Sequence, residues 1–225
     1  MSMPYYVSPE QMMQDRADYA RKGIARGRSL IAVQYDQGIV LVAENPSSTL
    51  RKISEIYDRI AFAGVGKYSE FDQLRVAGVR AADLKGYQFS RQDVDARSLA
   101  NQYAQLIANT FTHEVKPLEI EILVVEVGTS QEGDRLYRIM YDGTVLDEQR
   151  FAVIGGESDE MKSRISAVNP HDDLRTAVRN AVAALSGQSR SLGAADLEVA
   201  VLERGSQRRC FRRLSDTEVA KLVAA

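Results

Sequence analysis

Two short and almost wholly apolar runs lie close together near the start of the chain, at residues 29–35 and 39–43. Asp36, Gln37 and Gly38 separate them, and these residue types favour a tight hairpin turn. A strand that is covered on one face alternates apolar and polar residues, whereas these runs hardly alternate. They therefore predict a hairpin that is buried on both faces, which requires a layered fold.

Further helices and strands follow this hairpin in groups. Segments whose apolar residues recur every three to four positions predict helices, and short apolar runs between turn residues predict strands. We predict helices at residues 9–26, 69–85, 90–113 and 159–168 and from residues 172 and 215 onwards, and strands at 29–35, 39–43, 59–63, 118–127, 135–141, 151–154, 196–203 and 209–214. The order is helix, three strands, two helices, three strands, two helices, two strands and a helix.

This order predicts an α/β (α+β) fold built as a four-layer αββα sandwich. Two stacked antiparallel sheets would be flanked by helices, with an extra N-terminal helix. No segment rich in Gly, Ser or Pro is long enough to divide the chain, so residues 9–225 are expected to form one domain. Residues 1–8 are short, bounded by proline and without periodicity, and a flexible tail is expected there.

The charge and the cysteine content narrow the class of protein. The formal net charge is −2, and no segment has the sustained basic surplus that nucleic-acid binding requires. No apolar run approaches the ~20 residues of a membrane span, and the N-terminus lacks the basic and apolar regions of a signal peptide. Cys210 is the single cysteine, so no internal disulfide can form. We expect a cytoplasmic protein with no nucleic-acid or membrane partner.

The residue types that carry chemistry do not form a recognisable catalytic or ligand set. His113 and His171 lie far apart in the sequence without metal-ligand spacing. Gly64, Gly66 and Lys67 resemble a phosphate loop, but Tyr68 stands where the hydroxyl residue that contacts Mg²⁺ belongs. These glycines instead predict a tight turn between a strand and a helix. The sequence therefore predicts no metal and no cofactor.

Several stretches together resemble the α-type subunits of the proteasome core particle, in their actinobacterial branch. They are DYARKGIARG at 18–27, LRKISEIYD at 50–58, YYVSPE at 5–10, VAENP at 42–46, and the strands at 196–201 and 211–214. The resemblance covers essentially the whole chain. It implies the fold of the N-terminal-nucleophile hydrolases, which is a four-layer sandwich of the kind predicted above.

The resemblance also implies that this chain is not a protease by itself. In the catalytic β subunits a threonine at the free start of the first strand is the nucleophile, and its own amine is the base. Arg28 occupies that position here, Glu44 replaces the partner carboxylate, and Lys52 matches the basic residue. The implied role is a non-catalytic subunit of a threonine endopeptidase complex. Cleavage before Ser29, which would expose a hydroxyl nucleophile, stays open as an alternative, and so does a β-like stand-alone oligomer.

Lys52 also resembles the lysine that lines a pocket between neighbouring α subunits. In that family, the C-terminal carboxylate of a ring ATPase activator docks there. Gly27 and Gly66 match the glycines of the pocket, where a missing side chain lets a peptide approach the backbone. Without the resemblance, Lys52 is expected to be a surface lysine in an exposed ion pair.

The N-terminal tail is the second element to which the resemblance gives a role. Eight extended residues reach roughly 26–29 Å, so several copies around a ring axis could meet and close a pore. The expected gate residues are Tyr5, Tyr6, Val7, Ser8 and Pro9. A disordered terminus without a role is the alternative.

The resemblance implies several partners. They are a homo-heptameric α ring, proteasome β subunits, the C-terminal tails of a ring ATPase activator, and unfolded protein substrates, which are tagged in actinobacteria. The stripe of the first helix is expected to pack at contacts within the α ring, and the helices at 69–113 are expected to face the β ring.

Overall fold

The computed structural model describes residues 8–188, 190–205 and 209–224. In chain order the elements are α1 (Pro9–Ala25), β1 (Leu30–Tyr35), β2 (Gly38–Glu44), β3 (Ile53–Tyr57), β4 (Ile60–Gly66), α2 (Tyr68–Gln88), α3 (Ala96–His113), β5 (Ile120–Glu126), β6 (Arg135–Ile139), β7 (Val145–Glu148), β8 (Phe151–Ile154), α4 (Ser158–Ile165), α5 (Leu174–Ser186), β9 (Leu197–Glu203), β10 (Phe211–Arg213) and α6 (Asp216–Val223). Within these ranges, no helix combines the length and the apolar character needed to cross a bilayer.

The strands form two five-stranded antiparallel sheets. The first sheet has the order β10-β9-β2-β1-β8, and the second has the order β3-β4-β5-β6-β7. Every residue of β1 and β2 is buried, which confirms the hairpin predicted from the two apolar runs. The hairpin closes at the Tyr35–Gly38 pair, where Gly38 has a φ of 154°.

Alternate side chains of each strand enter different cores, and this produces four layers. Between the two sheets, Leu30, Ile39 and Leu41 pack with Leu123 and Val125. The opposite face of the first sheet packs on α4, α5 and α6, and the opposite face of the second sheet packs on α2 and α3. The predicted αββα sandwich, including its N-terminal helix, is therefore confirmed.

Helix α1 packs against β4 and β5 of the second sheet. Its Ala20 and Ile24 side chains are buried in the core between the sheets, and a Cβ on Gly156 would lie 2.9 Å from the Cα of Ala25. The expectation that the stripe of this helix packs against neighbouring subunits is therefore wrong for Ala20 and Ile24, because their own chain already buries them. Met13, on the same predicted stripe, remains 37% exposed.

The sequence prediction missed two strands, β3 and β7, and each lies at an edge of the second sheet. β3 contains the polar residues Ser54 and Glu55, and β7 contains Asp147 and Glu148. An edge strand has one unpaired side that faces solvent, so it can carry polar residues that hide the strand pattern. The observed order therefore has four strands where three were predicted, in both halves of the chain.

Gly64 and Gly66 also differ from what the sequence predicted. The sequence predicted a strand-to-helix turn there, whereas β4 runs through both glycines and ends at Gly66. Lys67 alone separates this strand from α2. A Cβ on Gly64 would lie 2.6 Å from the Phe71 ring, so this glycine permits close packing of α2 on the strand.

Candidate functional site

Gly27 follows α1 directly and lies against the end of β4. Its amide donates to the Ile24 carbonyl at 2.8 Å, which ends the helix. A Cβ on Gly27 would lie 2.8 Å from the backbone nitrogen of Gly66 and 2.8 Å from Val65 Cγ1. Since real Cβ atoms do not approach so closely, the contact between these two backbone segments requires glycine at position 27.

Gly66 requires glycine for two reasons. Its φ of 110° lies in the region that L-residues with side chains rarely adopt. A Cβ at this position would also lie 2.0 Å from the Glu119 carbonyl oxygen. The structure thus brings two of the predicted site residues, Gly27 and Gly66, into backbone contact.

Lys52 completes the predicted group. It lies just before β3, and its carbonyl accepts from the Gly64 amide at 3.1 Å. Its side chain extends to Arg28, where Nζ donates to the backbone carbonyl at 2.5 Å. Because Arg28 is adjacent to Gly27, the ammonium lies beside the Gly27–Gly66 contact.

A buried carboxylate fixes the backbone around Lys52. Glu198 of β9 accepts from the amides of Lys52 at 2.9 Å and Ile53 at 3.2 Å. It also accepts from Asn45 Nδ2 at 2.7 Å and from the Arg213 guanidinium. The sequence prediction missed Glu198, although a glutamate between the apolar residues Leu197 and Val199 is a signal that could have found it.

The Lys52 ammonium is half-buried and has no ion-pair partner within 4.0 Å among the residues that the structure describes. Burial lowers the pKa of Lys52 to about 8, and the attraction of Glu44 and Glu198 only partly opposes this shift. The positive charge of Arg28 also lowers the pKa. Lys52 is thus a cation held next to a backbone carbonyl, and its charge is compensated only at a distance.

Glu44 lies at the end of β2 and is paired with two arginines instead. Arg28 Nη1 contacts Glu44 Oε1 at 2.8 Å, and Arg190 Nη1 contacts Glu44 Oε2 at 3.0 Å. The Glu44 side chain is only 6% exposed, so both pairs are well protected from water on the carboxylate side. The role of Arg190 was not predicted from the sequence, where it is the one basic residue in a polar loop at 187–193.

The residues expected to form the gate fall partly outside the described region. Tyr5, Tyr6 and Val7 lie outside it. Ser8 is the N-cap of α1, where its hydroxyl oxygen accepts from the Gln11 amide at 3.1 Å, and Pro9 is the first helical residue. The last two expected gate residues are therefore the start of a helix.

The part of the chain that the structure describes contains no cluster of three or more His, Cys, Asp or Glu side chains arranged to hold a metal ion. His113 is on the last turn of α3, and its Nδ1 lies 3.1 Å from the Asn109 carbonyl oxygen. Cys210 is buried.

Comparison with known proteins shows the family of this chain. The family model described as proteasome subunit matches residues 24–202, well over half of the chain. The proteasome subunit alpha of Acidimicrobium ferrooxidans is 61% identical over 99% of this chain and 97% of its own length. Those of Sanguibacter keddieii and Thermomonospora curvata are 54% and 51% identical, each over 100% of this chain and over 91% and 99% of their own lengths. This chain belongs to the proteasome subunit family.

Proposed function

We propose that this chain is a non-catalytic α subunit of a proteasome core particle, which gates substrate entry and docks a ring ATPase activator. Its relatives that are named proteasome subunit alpha match it over nearly the whole chain. The observation that carries the docking role is the half-buried Lys52 ammonium, which lies beside the Gly27–Gly66 contact without a carboxylate partner of its own.

The proposed absence of catalysis is supported by Arg28, which lies two residues before β1. An N-terminal nucleophile needs a hydroxyl or thiol next to a free amine, and Arg28 supplies neither. Ser29 does have a hydroxyl, but its backbone nitrogen continues into Arg28 and, beyond that, α1. The competing hypothesis is cleavage before Ser29. An intact-mass measurement that finds the uncleaved chain in active particles would exclude it.

Docking of a peptide carboxylate is supported by the charge and shape around Lys52. A charge-assisted hydrogen bond to a carboxylate in a partly desolvated pocket contributes about 1.5–3 kcal/mol. The two glycines lack side chains, so a peptide tail can approach the backbone beside the ammonium. In a ring of subunits, this site would lie near the neighbouring copy, and the tails of the activator would enter between the two.

Substitution of Lys52 by Ala tests the docking role. We expect Lys52→Ala particles to assemble with β subunits normally and to lose the stimulation by the ring ATPase, because the cation that recognises the terminal carboxylate is gone. Lys221→Ala, which changes an exposed lysine on α6, is the matched control and should keep the stimulation. Full stimulation of Lys52→Ala particles would refute the assignment.

A gating role for the tail is supported by its length and by the position of α1. The tail ends at Ser8, which caps the helix that begins at Pro9. A deletion of residues 2–7 keeps this cap and should raise the hydrolysis of short fluorogenic peptides by the assembled particle. An unchanged rate would contradict the gate and favour a terminus without a role.

The remaining parts of the proposal concern assembly. We propose a homo-heptameric α ring stacked on β rings, with residues 9–225 as one domain, unfolded proteins as substrates and a cytoplasmic location. In an actinobacterial setting the substrates would carry a tag. Co-expression with the β subunit of the same organism, followed by sizing and a peptidase assay, tests this. A peptidase-active oligomer that forms without β would favour the stand-alone alternative.

A further inference from the structure

Three cations surround a single carboxylate at the proposed docking site, yet only two of them contact it. Arg28 and Arg190 both lie within 3.0 Å of Glu44 oxygens. Lys52 is close enough for Glu44 to raise its pKa, but the ammonium forms its hydrogen bond with the Arg28 carbonyl instead. Glu44, the carboxylate that could compete with a ligand for Lys52, is therefore already paired with two arginines.

We propose that Arg190 is a positioning residue that holds the Glu44 carboxylate away from Lys52, so that Lys52 stays available to the terminal carboxylate of an incoming peptide. This inference rests on the proposed docking function and adds to it the residue that keeps the site open. Arg190 acts through Glu44 and needs no contact with the peptide.

The geometry fits such a role because Arg190 is fixed at both ends of its guanidinium. Nη1 contacts both oxygens of Glu44, at 3.1 and 3.0 Å, while Nη2 donates to the Leu185 carbonyl at 2.8 Å. Leu185 lies in the last turn of α5, where carbonyls have no partner within the helix. The end of α5 therefore sets the position of the guanidinium, and the guanidinium sets the position of the carboxylate.

Without Arg190, the electrostatics favour a closed site. Glu44 would keep one arginine, and its second oxygen would lose a charged partner in a place where its side chain is 6% exposed. Burial makes an unpaired charge costly, so the carboxylate is expected to turn toward the nearest remaining cation, Lys52. A Lys52–Glu44 ion pair would then have to be broken before any peptide carboxylate could bind.

Arg28 has a different part in the same arrangement. Its guanidinium contacts Glu44, while its backbone carbonyl accepts from Lys52 Nζ. Replacing Arg28 would disturb both neighbours and the Gly27 segment at once. Arg190 contacts Glu44 but not Lys52. A substitution of Arg190 therefore tests the effect of the Glu44 carboxylate alone.

The test measures binding of a synthetic hexapeptide to the assembled particle, with the sequence that ends the cognate ring ATPase. The peptide is used with a free terminal carboxylate and, in parallel, with a terminal amide. For the unsubstituted particle we expect the carboxylate form to bind at least about tenfold more tightly, since one charge-assisted contact is involved. Binding should fall as the pH rises through about 8, where Lys52 loses its proton.

Arg190→Ala should weaken the binding of the carboxylate peptide about tenfold, because Glu44 then competes for Lys52. The midpoint of the pH profile should move upward, because Glu44 then stabilises the charged form of Lys52. The groups that face Lys52 are Glu44, Glu198 and Arg28, and only Glu44 is released by this change. Adding Glu44→Gln to Arg190→Ala should restore the binding and lower the midpoint at least to its value in the unsubstituted particle, because the charge of Glu44, which raises the pKa of Lys52, is then gone. A purely structural role for Arg190 would not be rescued in this way.

Arg164→Ala is the matched control. Arg164 also donates to a carbonyl at the end of α5, that of Ala184 at 3.1 Å, but it makes no contact with Glu44. It should therefore leave the binding and its pH profile unchanged. If Arg190→Ala does not assemble, Arg190→Lys replaces it, because an ammonium lacks the fork that contacts both a carboxylate and a carbonyl, and an intermediate loss is expected.

The two proposals fail in different ways. Equal binding of the carboxylate and amide peptides, unaffected by Lys52→Ala, would overturn the docking function and this inference with it. A clear preference for the carboxylate that Lys52→Ala abolishes, together with unchanged binding to Arg190→Ala, would overturn the positioning role alone. Loss of binding in Arg190→Ala without rescue by Glu44→Gln would also overturn it.

Discussion

Lys52 carries a positive charge in a place that is poorly accessible to water. Burial lowers its pKa to about 8, below the value of a free lysine, so the charged form is held at an energetic cost. A lysine kept for stability alone would be expected to have a close carboxylate partner. A cation without such a partner is better explained by a ligand that brings its own negative charge.

The first prediction concerns the pH dependence of stability at this residue. Between about pH 8 and the usual lysine pKa, the unfolded chain binds a proton at position 52 that the folded chain has lost. Stability therefore rises with pH in this window. We expect the free energy of unfolding of the unsubstituted chain to rise relative to that of Lys52→Met above pH 8, as measured by urea unfolding.

Lys52→Arg is the control for this measurement, because arginine keeps its charge throughout the range. The difference in the free energy of unfolding between Lys52→Arg and Lys52→Met should stay constant with pH. A constant difference for the unsubstituted chain as well would mean that Lys52 is not desolvated.

The second prediction concerns Gly66. Gly66→Ala combines a φ of 110° with a Cβ that would lie 2.0 Å from the Glu119 carbonyl oxygen, so we expect it to destabilise the chain by about 3 kcal/mol or more. Gly205 also has a positive φ, of 86°, but among the residues that the structure describes its Cβ would meet nothing within 4 Å. Gly205→Ala should therefore cost only ~1–2 kcal/mol. Equal losses in thermal unfolding would show that the contact with Glu119 is unimportant.

At the scale of the elements, a buried ion pair within the second sheet is hydrogen-bonded to the segment that follows β8 of the first sheet. Glu121 of β5 accepts from the Arg138 guanidinium of β6, and its second oxygen accepts from the Gly155 amide after β8 at 2.9 Å. Both side chains are less than 10% exposed. Burial raises the pKa of Glu121 and the Arg138 charge opposes this, so the carboxylate depends on its partner to remain ionised.

The third prediction is a double-mutant cycle on this pair. Arg138→Met leaves a buried carboxylate without its cation, and we expect a loss of about 3–5 kcal/mol in urea unfolding at neutral pH. The loss should shrink in acid, because a protonated Glu121 no longer needs a cation. Adding Glu121→Gln, which still accepts from Gly155, should recover most of the loss.

An exposed pair gives the comparison for this cycle. Glu160 is 70% exposed and pairs with Arg164 four residues later on α4. Glu160→Gln should cost no more than about 0.5 kcal/mol. Additive losses for Glu121→Gln and Arg138→Met would contradict a coupled buried pair.

Strands with mostly apolar residues were predicted from the sequence more accurately than polar ones. β1, β2 and β9 are mostly apolar, and their runs were predicted within one or two residues. β3 and β7, the edges of the second sheet, were missed because their polar residues hide the strand pattern, whereas β8 and β10, the edges of the first sheet, were predicted. The start of the last helix was predicted at residue 215, where Ser215 and Glu218 form a capping box.

At the scale of the whole molecule, the tail and the proposed docking site belong to separate parts of the chain. The tail ends at the N-cap of α1, and the docking residues lie beyond the C-terminal end of that helix. At about 1.5 Å per residue, the 17 residues of α1 separate the two by roughly 25 Å. We therefore expect gating and docking to be separable.

The fourth prediction combines the two changes in one particle. Deletion of residues 2–7 should raise the hydrolysis of short peptides whether or not Lys52→Ala is present, because small substrates need only an open pore. Degradation of a folded protein should still require the ring ATPase, and Lys52→Ala should abolish it even in the open particle. If the open particle with Lys52→Ala still degraded a folded protein with ATP, docking would not depend on Lys52.

The sequence by itself determined the layered architecture, since strands that are apolar on both faces can be buried only between other layers. It also identified Gly27, Gly66 and Lys52 through their resemblance to a family. Only the tertiary structure decided what surrounds Lys52, because Glu198 and Arg190 come from segments about 146 residues away from the groups they contact. Local sequence patterns encode which face of an element is buried, whereas long-range polar contacts depend on how the sheets and helices meet.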